Sequence, residues 1–77
     1  MPINYIKEIM LGNAMNYSFF NEAADKKIEV GSHLVNDAEH CYIKYTYEDC
    51  VQFELSMPRA SLNKAALAII EENIRDF

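Results

Sequence analysis

Residues 41–57 read CYIKYTYEDCVQFELSM, two runs of alternating apolar and polar side chains joined by Glu48, Asp49 and Cys50. Cys41, Ile43, Tyr45 and Tyr47 alternate with Tyr42, Lys44 and Thr46, and Val51, Phe53, Leu55 and Met57 alternate with Gln52, Glu54 and Ser56. A period of two sends the two sets to opposite sides of a pleated strand, so the stretch predicts an antiparallel hairpin with one buried face. Matching the faces sets the register. A two-residue turn at Glu48 and Asp49 would put Tyr45 against Gln52 and Ile43 against Glu54, mixing core and solvent sides. A three-residue loop through Cys50 instead puts Tyr47 opposite Val51, Tyr45 opposite Phe53, Ile43 opposite Leu55 and Cys41 opposite Met57.

Downstream, Pro58 lacks a ladder donor and ends the strand, and Ser61 is the expected cap of a long final helix running to Phe77. Leu62, Ala65, Ala66, Ile69, Ile70 and Phe77 share one helical face, and Leu67 and Ile74 widen it to about 200°. A helix lying on a sheet needs about 100°, so the surplus must meet the N-terminal helices, another subunit or a target, and the expectation is a homodimer interface made of Leu67, Ile70, Asn73, Ile74 and Phe77. Asn73 falls near the centre of that arc, where an amide either sets the register of an interface or frays into solvent one turn from the end.

Upstream, Ile3, Ile6, Ile9 and Met10 recur at helical spacing after Pro2 and before Gly12, which predicts a short helix over 3–11. Asn16 is the expected cap of a second helix with Tyr17, Phe19, Phe20, Ala23 and Ala24 on its apolar side. Gly12 and Asn13 then form either a turn between two helices or a kink in one running to residue 27. Ile28 and Val30 begin a third strand that continues toward Leu34, with Gly31 as a bulge position and Asn36 and Asp37 as its turn. The expected architecture is a single α+β domain over 1–77: an N-terminal helix or helix pair, a three-stranded antiparallel meander and a long C-terminal helix packed on the sheet.

Composition narrows the function classes. The chain has 77 residues, is 51% hydrophobic and carries a net charge of −5. That is apolar enough to fold without disulfides, and the acidity opposes sequence-independent binding to phosphate backbones. No run of about 18 apolar residues and no basic-then-apolar leader is present, so the expected location is cytoplasmic, in the host cytoplasm if the gene is phage-borne. Gly12 and Gly31 stand alone, so no phosphate-cradling loop is expected.

Four residues of zinc-ligand type, His33, His40, Cys41 and Cys50, lack the close paired spacing of a structural metal site. Asp37, His40 and Cys41 also fail as orienter, base and nucleophile, because strand neighbours point to opposite faces. No metal, cofactor or catalytic residue is therefore expected. Cys41 and Cys50 lie at opposite ends of the hairpin, about 20 Å apart by strand rise, which predicts a buried thiol and a free thiol at the loop. Tyr42 and Lys44 occupy the solvent side of the hairpin as expected partner contacts, joined by Glu71, Glu72 and Asp76 on the last helix.

The predicted function is that of a small acidic, non-enzymatic protein-binding inhibitor or adaptor acting by surface occlusion. Its size and charge fit phage-encoded anti-defence proteins of the anti-CRISPR kind, host-takeover proteins, and immunity or antitoxin partners. Acidic residues gathered on one surface would also suit the blocking of a nucleic-acid-handling protein by mimicry. The alternative is a nucleic-acid-binding module, because helix, three antiparallel strands and helix is also the order of double-stranded RNA-binding domains. Those domains resemble this chain in topology alone: they place several lysines at the start of the last helix, and here only Lys64 follows Arg59 and Ser61.

Overall fold

The computed structural model describes residues 3–12 and 16–77. The expectations placed on Pro2 and Asn13 lie outside the described residues. Helix α1 (Ile3–Leu11) leads into a four-stranded antiparallel meander of β1 (Tyr17–Asn21), β2 (Lys26–Val35), β3 (Ala38–Tyr47) and β4 (Cys50–Pro58), and helix α2 (Lys64–Asn73) follows. The strands lie in chain order, β1 and β4 forming the edges. Both helices pack on one side of the sheet. There Ile6 and Met10 of α1 join Ile28 and Val30 of β2, Cys41, Ile43 and Tyr45 of β3, and Leu62, Ala66, Ile70 and Ile74 of the α2 region in one buried cluster.

The helix over 3–11 has the expected bounds, with Ile6 and Met10 buried four residues apart on its inner stripe. The expected second helix is not formed. Tyr17–Asn21 is a strand paired with β2 from Tyr17↔Val30 to Asn21↔Lys26, and Glu22–Ala24 is one 3-10 turn. Aromatic residues suit a pleated surface, and without this strand the first half of β2 would have no partner for its backbone on that side. Asp25 closes the turn in the left-handed region at φ 55° and accepts a hydrogen bond from the Glu48 N–H at 2.9 Å. The three-stranded sheet is thus corrected to four strands.

The strand begun at Ile28 and Val30 is central and ten residues long. Its ladder with β3 runs unbroken from Lys26↔Tyr47 to Val35↔Ala38, so Gly31 is not a bulge. Gly31 lies instead against Asn16, whose side chain would have to move aside for a Cβ there. The turn after β2 is the expected one, with Asn36 and Asp37 at φ 51° and 65° in the mirror-image geometry that suits the strand twist.

In the 41–57 hairpin, Tyr45↔Phe53, Ile43↔Leu55 and Cys41↔Met57 pair as the face matching requires. The device that achieves this differs from the expected loop. Glu48 and Asp49, at φ 49° and 65°, make a two-residue turn, and Tyr47 pairs with Cys50 and Thr46 with Val51. A bulge between Tyr45 and Thr46 leaves Gln52 as the extra residue and restores the register. Val51 is consequently 51% exposed rather than part of the core.

Helix α2 is also shorter than expected. Ser61 belongs to a 3-10 turn, Arg59–Ser61, and the cap is Asn63, whose side chain accepts from the Ala66 N–H at 3.0 Å. The helix stops at Asn73, and the tail turns back to the sheet. Asn21 Nδ2 donates to the Phe77 carbonyl at 2.8 Å, and the Phe77 ring meets Tyr45 edge-on at a centroid distance of 6.0 Å.

Candidate functional site: the open sheet face

With both helices on one side, side-chain alternation leaves the other side of the sheet uncovered. That face carries Ser18 and Phe20 from β1, Lys27, Glu29, Gly31 and His33 from β2, His40, Tyr42, Lys44 and Thr46 from β3, and Val51, Glu54 and Ser56 from β4. Its apolar anchors are Phe20, 64% exposed at one end, and Tyr42 near the middle. His33 and His40 face each other across β2 and β3 with centroids 6.0 Å apart, and the His33 ring lies 5.4 Å from that of Tyr42. A shallow depression of about 360 Å³ is lined by His33, Tyr42, Lys44, Glu54, Leu55 and Ser56.

The charges of this face pair internally. Lys27 Nζ bonds to Glu29 Oε1 at 2.8 Å, and this hydrogen bond raises the lysine pKa and lowers that of the carboxyl. Lys44 stands between Glu29 and Glu54, its direct neighbours on β2 and β4. An alternating acid and base lattice of this kind offers orientation-specific contacts to a protein but no net positive field for a phosphate backbone.

Tyr42 and Lys44 therefore lie together on the uncovered face. Glu71, Glu72 and Asp76 lie on the helix side and do not join them. Glu71 pairs with Lys7 of α1 at 3.4 Å, Glu72 with Arg75 at 2.7 Å, and Asp76 accepts from the Tyr45 hydroxyl at 2.9 Å while its carboxylate lies 3.7 Å from Lys26 Nζ. Burial, reinforced by the bond to Asp76, pushes the Tyr45 phenol up to about 12.

The residues expected to meet a second subunit are divided as well. Ile70 and Ile74 are 1% and 0% exposed inside the chain's own core, so neither is available to another chain. Only part of the apolar arc is used inside the chain: its inner residues join the cluster shared with α1 and the sheet, while Ala65 and Ile69 stay exposed. Leu67 and Phe77 are half-buried against the same cluster. Asn73 faces solvent and donates to the Ile69 carbonyl at 2.8 Å at the end of its own helix.

Cys41 is buried, and burial raises its thiol pKa, while Cys50 is free and exposed at the turn. His40 sits on the open face and Cys41 under the sheet, so the two never meet. Among the described residues no three of His, Cys, Asp and Glu converge as metal ligands. No described helix is long and apolar enough to cross a membrane.

Phe20 and Val51 extend the open face beyond what the sequence indicated. Phe20 was hidden by the helical reading of 17–25 and Val51 by the bulge at Gln52. The uncharged aromatic run YSFFN over 17–21 was the signal for the missing strand. A second groove, about 360 Å³, lies between α1 and the edge strand β1, lined by Tyr5, Glu8, Ile9, Tyr17 and Phe19. In comparison with known proteins, no family model matches the chain, nor does any curated protein or solved structure.

Proposed function

We propose that the chain is a small acidic protein-binding inhibitor or adaptor that catalyses nothing and acts by laying its uncovered sheet face on a partner. The single observation that supports this reading is the open face itself: Phe20 and Tyr42 stand on a rigid sheet among charges that alternate in sign, which is the make-up of an anchor set with a polar surround. Its size and net charge suit the anti-defence, host-takeover, immunity and antitoxin classes, whose action is stoichiometric. The ion pair of Lys27 with Glu29 and the position of Lys44 between Glu29 and Glu54 weigh against the nucleic-acid alternative.

The test is capture of partners from the native host lysate by the immobilised chain, compared with Tyr42→Ala and Lys44→Glu. Both variants keep the core intact. A protein retained by the parent chain and lost by Tyr42→Ala supports the reading. Retention of the same protein by both variants, turnover of a bound partner by substoichiometric amounts, or recovery of RNA in its place defeats it.

A further inference from the structure

The two edges of the sheet are built differently. In an antiparallel ladder the residues flanking a two-residue turn form a hydrogen-bonded pair, and every second pair along the strands repeats it. Counting from Val35↔Ala38, the β2 residues that bond to β3 are Lys27, Glu29, Gly31 and His33. Lys26, Ile28 and Val30 then bond to β1, through Asn21, Phe19 and Tyr17. The N–H and C=O groups of Ser18 and Phe20 are left pointing outward from the edge.

Counting likewise from Tyr47↔Cys50, the outward positions of β4 past its bulge are Glu54, Ser56 and Pro58. That edge carries an acid, a proline without a donor and the bulge at Gln52, the devices that keep a strand from pairing with another chain. Edge β1 has none of them. It is regular and without charge, and it lies inside residues 9–21, the longest stretch without a charged side chain in the protein. Exposed Tyr5, Glu8 and Tyr17, with half-buried Ile9 and Phe19, line the groove beside it.

We infer that β1 pairs antiparallel with β1 of a second copy, about a two-fold axis at Phe19. This register sets Phe19 against Phe19, Ser18 against Phe20 and Tyr17 against Asn21, satisfies the outward groups of both strands, and makes one continuous eight-stranded sheet. Charge selects the occupant. Two chains of net charge −5 repel over most of their surfaces, and β1, which has no charged residue, brings the two backbones together with no carboxylate in the paired strands. A basic partner would gain nothing here that the acidic surface does not offer better. The inference stands apart from the open-face reading, since the dimer leaves Tyr42 and Lys44 uncovered.

Sedimentation analysis over a dilution series tests it, together with hydrogen exchange at the Ser18 and Phe20 amides. The parent chain should pass from 8.9 kDa to twice that mass as concentration rises, and both amides should become protected in step. Ser18→Pro removes an outward donor and Ser18→Lys adds charge to the edge. Either should remain at the monomer mass with an unchanged circular dichroism spectrum, whereas Tyr42→Ala and Ile69→Asp should dimerise like the parent. A parent chain that stays monomeric at every concentration overturns the inference. So does a dimer that survives both Ser18 variants or is lost in Ile69→Asp, as does protection of the edge amides only when another protein is added.

Discussion

Tyr45 puts a phenol into the apolar layer beneath the sheet and keeps its hydroxyl satisfied by Asp76 at 2.9 Å. Its pKa in the fold is about 12, above the ordinary value of 10.0, with burial the larger cause and Asp76 the second. The folded state then holds a proton that the unfolded chain has lost, so stability is intact below pH 10 and falls as pH rises toward 12. Urea midpoints measured from pH 8 to 12 should show that decline, and Tyr45→Phe should flatten it while costing about 1 kcal/mol at pH 8 for the lost hydrogen bond. An unchanged alkaline slope in Tyr45→Phe would mean that Tyr45 is not the group responsible. The thiols make a second residue-scale contrast: native protein should react with a maleimide at exposed Cys50 and not at buried Cys41, as mass spectrometry of the labelled peptides would report.

Among the elements, β4 and α2 each turn on one residue. Gln52 is the extra member of the bulge, so deleting it leaves Thr46↔Val51 followed directly by Tyr45↔Phe53, a regular ladder with every core residue on the same face. Deleting Glu54 instead sends Leu55 and Met57 to the solvent side. Thermal unfolding followed by circular dichroism should find the Gln52 deletion folded and the Glu54 deletion not. For α2, Asn63→Ala should cost about 1 kcal/mol because it removes the bond to the Ala66 N–H, while Ser61→Ala should cost under about 0.5. The opposite ranking in urea titrations would restore Ser61 as the cap.

For the molecule as a whole, α1, the sheet and α2 share one buried cluster, and the C-terminal tail is tied back to it through Phe77 and Asp76. A chain this short has little stability in reserve, so one large cavity should unfold much of the population. Ile74→Ala, at a side chain with no exposure, should cost about 2 to 4 kcal/mol, whereas Ile69→Ala, 55% exposed, should cost under about 0.5. Denaturant midpoints distinguish the two. Near-equal costs would mean that the inner stripe of α2 is misassigned, and with it the reason that Ile70 and Ile74 cannot serve a second chain.

Local pattern by itself determined the α+β class, the helix over 3–11, the Asn36–Asp37 turn, and the facing of Cys41, Ile43 and Tyr45 against Met57, Leu55 and Phe53. Each of these follows from a period of two or 3.6 within the segment, which is a property of nearby residues alone. Tertiary structure decided the rest. Tyr17–Asn21 fits an apolar helical arc as well as a strand, and only the open edge of β2, distant in the ladder, resolves the choice. The bulge at Gln52 reconciles a tight turn with a face match that regular pairing could not combine, because an extra residue is visible only once two strands are laid together. The open face also depends on both helices choosing the same side of the sheet. Phe20 and Val51 came to lie exposed on the open face, and Ile70 and Ile74 in the core, because of how the elements share that side, a relation between segments that neither composition nor periodicity encodes.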